Sequence, residues 1–373
     1  MSAIEQLHQA GQSIWYDNIQ RSMLQNGALA SLIAAGDIRG VTSNPSIFHN
    51  AISKSHDYDA ALAPLVQAGL TTEQIFTALA VEDIRAATDL FHNLYVQSAG
   101  GDGYVSLEVS PRLALDTQAT IAEARRLWKL VDRPNLMIKI PATLEGIPAI
   151  RAVIADGINV NVTLIFSLDR YQAVMQAFIA GLEQRKGAGL PVSSIASVAS
   201  FFVSRVDTKI DAQLQAIVQS GGAQASLAGK LLGKAAIANA RLAYQLFRKV
   251  FEADQFKRLA AVGACLQRPL WASTSTKNPA YRDVIYVEEL IGAHTVNTMP
   301  PSTLDAFRDH GVTRVSLEDD LDGCTQNLAG LESIGISMAK VTAELEQEGV
   351  KSFADAYDAL LKTLEDRCAA VKV

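Results

Sequence analysis

The sequence predicts an α/β chain folded as a single (β/α)8 TIM-type barrel with additional helices, and three observations carry that reading. Eight short β-like runs alternate with helical patterns along the 373 residues. Such alternation points to a parallel sheet, and eight units in particular point to a closed barrel. Polar residues recur on one parity of the runs, as they do where the inner face of a strand lines a barrel. No GxGxxG or GxxxxGKS/T loop is present, so the runner-up, an open doubly wound sheet, lacks the phosphate loop it usually carries.

In chain order the runs are SIWYDNI (13–19), IRGVTSN (38–44), GYVSLEV (103–109) and NLMIKIP (135–141), then INVNVTLI (158–165), SIASVAS (194–200), RPLWAST (268–274) and HTVNTMP (294–300). Helical patterns over 72–98, 118–131, 145–154 and 168–185 lie between them. From Leu227 onward, Leu231, Ala235, Ala238, Leu242, Leu246 and Val250 follow at helical spacing. Lys230, Lys234, Arg241, Gln245 and Lys249 fall on the opposite face, which predicts one long amphipathic helix. SGGAQA (220–225) reads as a loop between helices. Helical sequence at about 50–98 and 204–264 reads as insertions, and about 326–373 as a C-terminal extension, all on one domain spanning 1–373. No linker or internal repeat divides the chain.

Composition narrows the class of function. At 49% hydrophobic and 19% charged residues the chain reads as an ordinary soluble globular protein. A net charge of −6 supplies no broad basic surface for nucleic acid or an anionic membrane. Cys265, Cys324 and Cys368 form no CxxC, and six scattered histidines show no metal-ligand spacing, so neither a disulfide framework nor a metal is expected. The opening residues read as no signal peptide and no run is long enough to span a bilayer, so a cytoplasmic location is expected.

The oddity that leads to chemistry is Lys139, set among Leu136, Met137, Ile138 and Ile140. A lysine there is a misread surface residue, a paired ion, or an amine kept for chemistry. Parity puts Lys139 with Met137 and Pro141, Asp17 with Trp15, and Glu108 with Ser106 and Ser110. It also groups Asn159, Asn161 and Thr163, and it groups Trp271, Ser273 and Ser275, with Lys277 just beyond. Any one of these reads most simply as a structural polar residue. Their joint convergence at the C-terminal mouth of a barrel, where such folds build sites, favours function. An inward lysine without metal or cofactor motifs suggests a Schiff base with a ketone. An unperturbed lysine has a pKa of ~10.4, and burial in an apolar strand disfavours the charged form. The iminium then acts as an electron sink for breaking or making an adjacent C–C bond. Asp17 and Glu108 are available to move protons, Thr163 to hold a water, Asn44 and Asn161 to bind hydroxyls, and Arg205 and Lys277 to bind phosphate. Spacing alone reaches a Schiff-base aldolase-like barrel and names no substrate.

GVTSNPSIF (40–48), VSLEVSP (105–111), KIPATLEGIPAI (139–150) and GINVNVTLIFS (157–167) closely resemble the motifs of transaldolases, in the family's order. The likeness runs from about Trp15 to Met299, and RPLWASTSTKNPAY (268–281) and HTVNTMPPSTL (294–304) look like the longer bacterial branch. The resemblance implies a cofactor-free enzyme of the non-oxidative pentose phosphate pathway. Such an enzyme moves a dihydroxyacetone unit from sedoheptulose 7-phosphate to glyceraldehyde 3-phosphate, giving erythrose 4-phosphate and fructose 6-phosphate. It implies that Lys139 is the Schiff-base nucleophile, that Asp17 takes the proton from the donor hydroxyl, and that Glu108 is the acid/base working through a water placed by Thr163. Asn44 and Asn161 would hold the three-carbon unit. In ASFFVSR, Ser200 and Arg205 match the family's SxFxxR pattern, for substrate hydroxyl and phosphate respectively.

The chain departs from the family at Phe201 and Ser204, where Pro and Gly are frequent. It departs again at Lys277, where many members carry an arginine and where a lysine gives a point charge without the bidentate fork. Ser275 aligns with a neighbouring family serine. The related fructose 6-phosphate aldolases release free dihydroxyacetone and tend to carry a tyrosine where this chain has Phe202, whose apolar ring keeps that corner dry. A non-catalytic sugar-phosphate-binding barrel would have lost Lys139, Asp17 or Glu108. Sugar phosphates are therefore the expected partners, with the chain a monomer or homodimer.

Overall fold

Each of the eight runs forms a strand: β1 Gln12–Tyr16, β2 Gly40–Val41, β3 Tyr104–Glu108, β4 Leu136–Pro141, β5 Val160–Ile165, β6 Ser197–Phe202, β7 Gln267–Ala272 and β8 Thr295–Met299. This computed structural model describes residues 2–371. All neighbouring strands pair in parallel. β1 pairs with β8 from Gln12↔Thr295 to Tyr16↔Met299, so the barrel closes and leaves no sheet edge. The alternation that suggested strands is what fills two layers. Val105 and Leu107, Ile138 and Ile140, and Val160 and Val162 are buried on the parity that meets the helices, while the opposite parity points inward.

The barrel interior is itself layered. At its N-terminal end Arg268 donates to the Gly101 carbonyl at 2.8 Å and to Ser13 Oγ at 2.7 Å, and it pairs with Asp102 at 3.2 Å. Trp15 and Met137 line the space beside it. The polar side chains of the C-terminal mouth lie above this layer. Three helices, Pro45–Ser53, Asp59–Gln67 and Thr72–Gln97, stand between β2 and β3, and four from Ser204 to Ala260 stand between β6 and β7. Helix Arg21–Gln25, which follows β1, is tied to the first of these groups by a buried cluster. Arg21 pairs with Asp83 at 2.8 Å, and the Tyr58 hydroxyl donates to the same carboxylate at 2.8 Å. After β8 come helices Pro301–His310, Leu321–Ser333 and Met338–Val371. Residues 372 and 373 of the expected C-terminal extension lie outside the described residues. No helix among those described is long and apolar enough to cross a membrane.

Two expectations fail, both through local backbone geometry. The single helix expected from Leu227 is two, Ala225–Leu231 and Ala235–Phe251. The break falls at Leu232, which is extended at ψ 131, and at Gly233, which has φ +69. The second helix then presents a rotated face: Ala243, Tyr244, Phe247 and Phe251 are buried, and so is Arg241, which pairs with Glu289 at 2.5 Å. In β7 the inward parity belongs to Arg268 and Ala272. Trp271 meets Phe201 edge-on, with ring centres 6.2 Å apart, and Phe201 in turn packs on Tyr171 of helix Leu168–Gly187. Ser273, at φ +57, resets the phase beyond the strand.

Candidate active site

At the C-terminal mouth the strands deliver side chains to one cavity of about 220 Å³, whose lining includes Asp17, Asn44, Lys139, Thr163 and Arg205. Strand register explains why residues so distant in sequence meet. Glu108 of β3 lies beside Lys139 of β4, Lys139 lies beside Asn161 of β5, and Thr163 lies beside Pro141. Inward-pointing neighbours at one height form a ring.

Lys139 is buried, with its side chain 6% exposed, and its Nζ stands 3.2 Å from Glu108 Oε2. The same amine donates to the Ser43 carbonyl at 3.3 Å. The lysine is therefore a paired ion within reach of a cavity, not an amine isolated among apolar side chains. Glu108 faces Lys139 from one side and a small adjoining cavity of about 30 Å³ from the other, which is room for about one water. Burial raises the Glu108 carboxyl above its ordinary range, against the pull of the Lys139 charge. The Asp17 carboxyl is raised too, again by burial, with a hydrogen bond from Thr42 and the Lys139 charge opposing.

Asp17 follows β1 directly and is held on two sides. Its N–H donates to the Met299 carbonyl at 2.8 Å, and Thr42 Oγ1 donates to its Oδ1 at 2.6 Å. Thr42 in turn contacts Thr298 Oγ1 at 2.5 Å. The Thr163 hydroxyl is buried at the cavity wall and has no hydrogen-bond partner among the described residues. Such a group needs a water or ligand to satisfy it.

The remaining expected residues fall at three depths. Asn161 is fully buried beneath the cavity lining. Its Nδ2 donates to Ser106 Oγ at 3.0 Å, and its Oδ1 accepts from Ser200 Oγ at 2.7 Å, so it holds Ser200 in place. Asn44 reaches the cavity wall while its Oδ1 caps helix Pro45–Ser53 through the Ile47 N–H at 2.9 Å. Phe202 and Arg205 stand at the rim, with the guanidinium 5.5 Å above the Phe202 ring centre. Burial depresses Arg205 and the charge of Glu348 opposes that. Arg205 makes no hydrogen bond or ion pair with any described residue. A half-buried guanidinium whose N–H groups are left without an acceptor is a natural anion site. Lys277 is exposed and donates to Ser275 Oγ at 2.7 Å, and both line the same cavity.

Sequence reasoning passed over Thr42, Thr298 and Phe353. The two threonines sit inside runs already singled out, but nothing beside them in sequence pointed to Asp17. Phe353 lies on helix Met338–Val371, and nothing near it in sequence pointed to the mouth of the barrel.

The chain is similar to known proteins along nearly its whole length. Residues 14–364 match the family model described as transaldolase/fructose-6-phosphate aldolase. A transaldolase of Thermobifida fusca is 50% identical over 370 residues, covering 99% of each chain. One from Mycolicibacterium smegmatis is 49% identical, covering 98% of this chain and 97% of its own. One from Thiobacillus denitrificans is 49% identical, covering 97% and 99%.

Proposed function

We propose residue roles from one premise: the chain belongs to the transaldolase/fructose-6-phosphate aldolase family, and its activity is that of a transaldolase, an enzyme transferring aldehyde or ketone residues. Lys139 attacks the carbonyl carbon of the ketose donor, and loss of water gives the iminium. Glu108, 3.2 Å from the amine, moves the protons of that step through a water held against the unpartnered Thr163 hydroxyl. Asp17 takes the proton from the donor hydroxyl as the adjacent C–C bond breaks, and the aldehyde product leaves. The dihydroxyacetone unit left on Lys139 attacks the acceptor aldehyde by the same steps in reverse.

Binding divides between the floor and the rim. Ser200, oriented by Asn161, and Asn44 hold hydroxyls of the three-carbon unit. Arg205 receives the phosphate, with Ser275 and Lys277 as a second, more exposed contact. The natural substrates are sedoheptulose 7-phosphate and glyceraldehyde 3-phosphate, the protein works in the cytoplasm as a monomer or homodimer, and the mechanism calls on no cofactor. What carries this reading is the convergence in one cavity of a buried lysine, an aspartate raised by burial, and an arginine that makes no hydrogen bond or ion pair among the described residues.

The test is to mix the protein with fructose 6-phosphate, add borohydride, and locate the added mass by peptide mapping. A reduced three-carbon adduct on the peptide containing Lys139 is expected. An unmodified Lys139 peptide in folded protein, beside a working control enzyme, would overturn the assignment.

A further inference from the structure

Helix Met338–Val371 crosses the mouth of the barrel and is fastened on opposite sides of it. On one side Lys209 pairs with Glu344 at 2.9 Å and with Glu348, and Arg170 pairs with Glu346 at 3.1 Å. On the other, Arg112 pairs with Asp358 at 2.6 Å and Arg367 with Asp59 at 3.0 Å. Between these fastenings the helix rests on the end of β5. A Cβ at Gly349 would stand 2.8 Å from Leu164 Cδ2, and Leu164 is itself held at φ +60, next to Thr163. One turn further on, Phe353 turns its ring into the cavity. It is 5% exposed, it lines the space shared by Asp17 and Thr163, and its ring centre lies 5.3 Å from Lys139 Nζ.

We propose that Phe353 is a further active-site residue that decides the fate of the covalent intermediate; the inference rests on the role given above to Lys139. The ring covers the nitrogen that becomes the iminium, which a π-face at this distance attracts, and it keeps bulk water from the carbon beside it. Hydrolysis of the intermediate needs only solvent. The enamine carbon takes a proton to give the iminium, a water oxygen adds to the imine carbon, and the C–N bond breaks to return the lysine amine and free dihydroxyacetone. With Phe202 on the rim and Phe353 above, the nitrogen lies under apolar cover on two sides, and the three-carbon unit waits for an aldehyde acceptor. A ring that merely filled core would affect folding without affecting this partition.

The readout is the ratio of free dihydroxyacetone released from fructose 6-phosphate without acceptor to transfer turnovers with acceptor, measured together with borohydride trapping on the Lys139 peptide. In Phe353→Ala the ratio is expected to rise by at least about tenfold, while Phe353→Trp stays near the parent value. An unchanged ratio in a folded Phe353→Ala that still traps on Lys139 would overturn this inference alone. Should Phe353→Ala not fold, Phe353→Leu decides: a rise of roughly threefold supports the role, and no rise overturns it. Failure of the parent protein itself to trap on Lys139 would overturn the role of the lysine, and this inference with it.

Discussion

Glu108 and Lys139 stand side by side on adjacent strands, and what each does depends on the other. Replacing Glu108 by Gln keeps the shape and removes both the counter-charge and the proton carrier. Turnover should fall by about 10²–10⁴-fold, the usual contribution of positioned acid–base catalysis, while circular dichroism stays unchanged. Asp17 sets the pH dependence. Its folded pKa is raised from 3.8 by burial, and it works as a base, so it must be ionised to act. As pH falls through the raised value it takes up a proton and the donor can no longer be deprotonated. The acid limb of kcat/KM for donor cleavage should therefore be centred above 3.8. Asp17→Asn should abolish that limb together with most of the rate, and a limb centred at or below the ordinary value would contradict the role. At the rim the two cations differ in kind. Arg205 is half-buried and has no ion-pair partner among the described residues, whereas Lys277 is exposed and bonded to Ser275. A hydrogen bond to a charged group is worth roughly 1.5–3 kcal/mol. Arg205→Ala should raise KM for a phosphorylated acceptor by about 10–100-fold, and Lys277→Ala by less than about tenfold. Neither should alter KM for unphosphorylated glyceraldehyde as much.

Strands and the turns after them are where the sequence could be read, and also where it could not. Eight strands and the inward set Asp17, Glu108, Lys139 and Thr163 were legible because period-two alternation is a local pattern with a direct geometric meaning. Within β7 that pattern misled: Trp271 faces the helices while Ser273 and Ser275 line the cavity, because a serine at φ +57 gives no sign of itself in composition and resets which side chains point inward. The helix from Leu227 misled for a related reason: apolar spacing continued across Gly233, where the backbone turns to φ +69 and the Gly233 N–H donates to Asp211 at 3.0 Å. Phe353 was beyond reach, because its place depends on a helix from the far end of the chain returning across the mouth. Glycines show how local sequence and tertiary context combine. A Cβ at Gly146, just after the lysine strand, would lie 2.1 Å from the Pro141 carbonyl oxygen. Gly146→Ala should cost about 1–3 kcal/mol, as overpacking does. At Gly187, the end of helix Leu168–Gly187, an added Cβ meets nothing within 4 Å. Gly187→Ala should be neutral or stabilising by up to about 1 kcal/mol. Urea unfolding should show a lowered midpoint for Gly146→Ala and an unchanged or raised one for Gly187→Ala; an unchanged midpoint for Gly146→Ala would mean that the chain relaxes around it.

Across the whole molecule, the question is whether helix Met338–Val371 is an appendage or part of one cooperative unit. Its packing answers in magnitudes. Val341, Leu345, Phe353, Tyr357, Leu360 and Leu364 are each at most 7% exposed. Burying such side chains contributes roughly 1.5–3 kcal/mol apiece, so together they contribute on the order of 10 kcal/mol before the entropy of ordering the helix is counted. Proteins as a class are stable by only about 5–15 kcal/mol. The helix also carries the ion pairs to Arg170, Lys209 and Arg112, and the ring over Lys139. An element of that weight, lying on the end of β5 and over Lys139, should melt with the barrel. Calorimetry of the full chain should therefore show a single transition, with near-ultraviolet circular dichroism and loss of borohydride trapping on Lys139 following the same curve. A chain cut before Met338 should show no cooperative transition and no trapping. If the cut chain instead melts within a few degrees of the parent, the barrel is stable on its own. The helix would then be a separable cover whose contribution is confined to the chemistry beneath it.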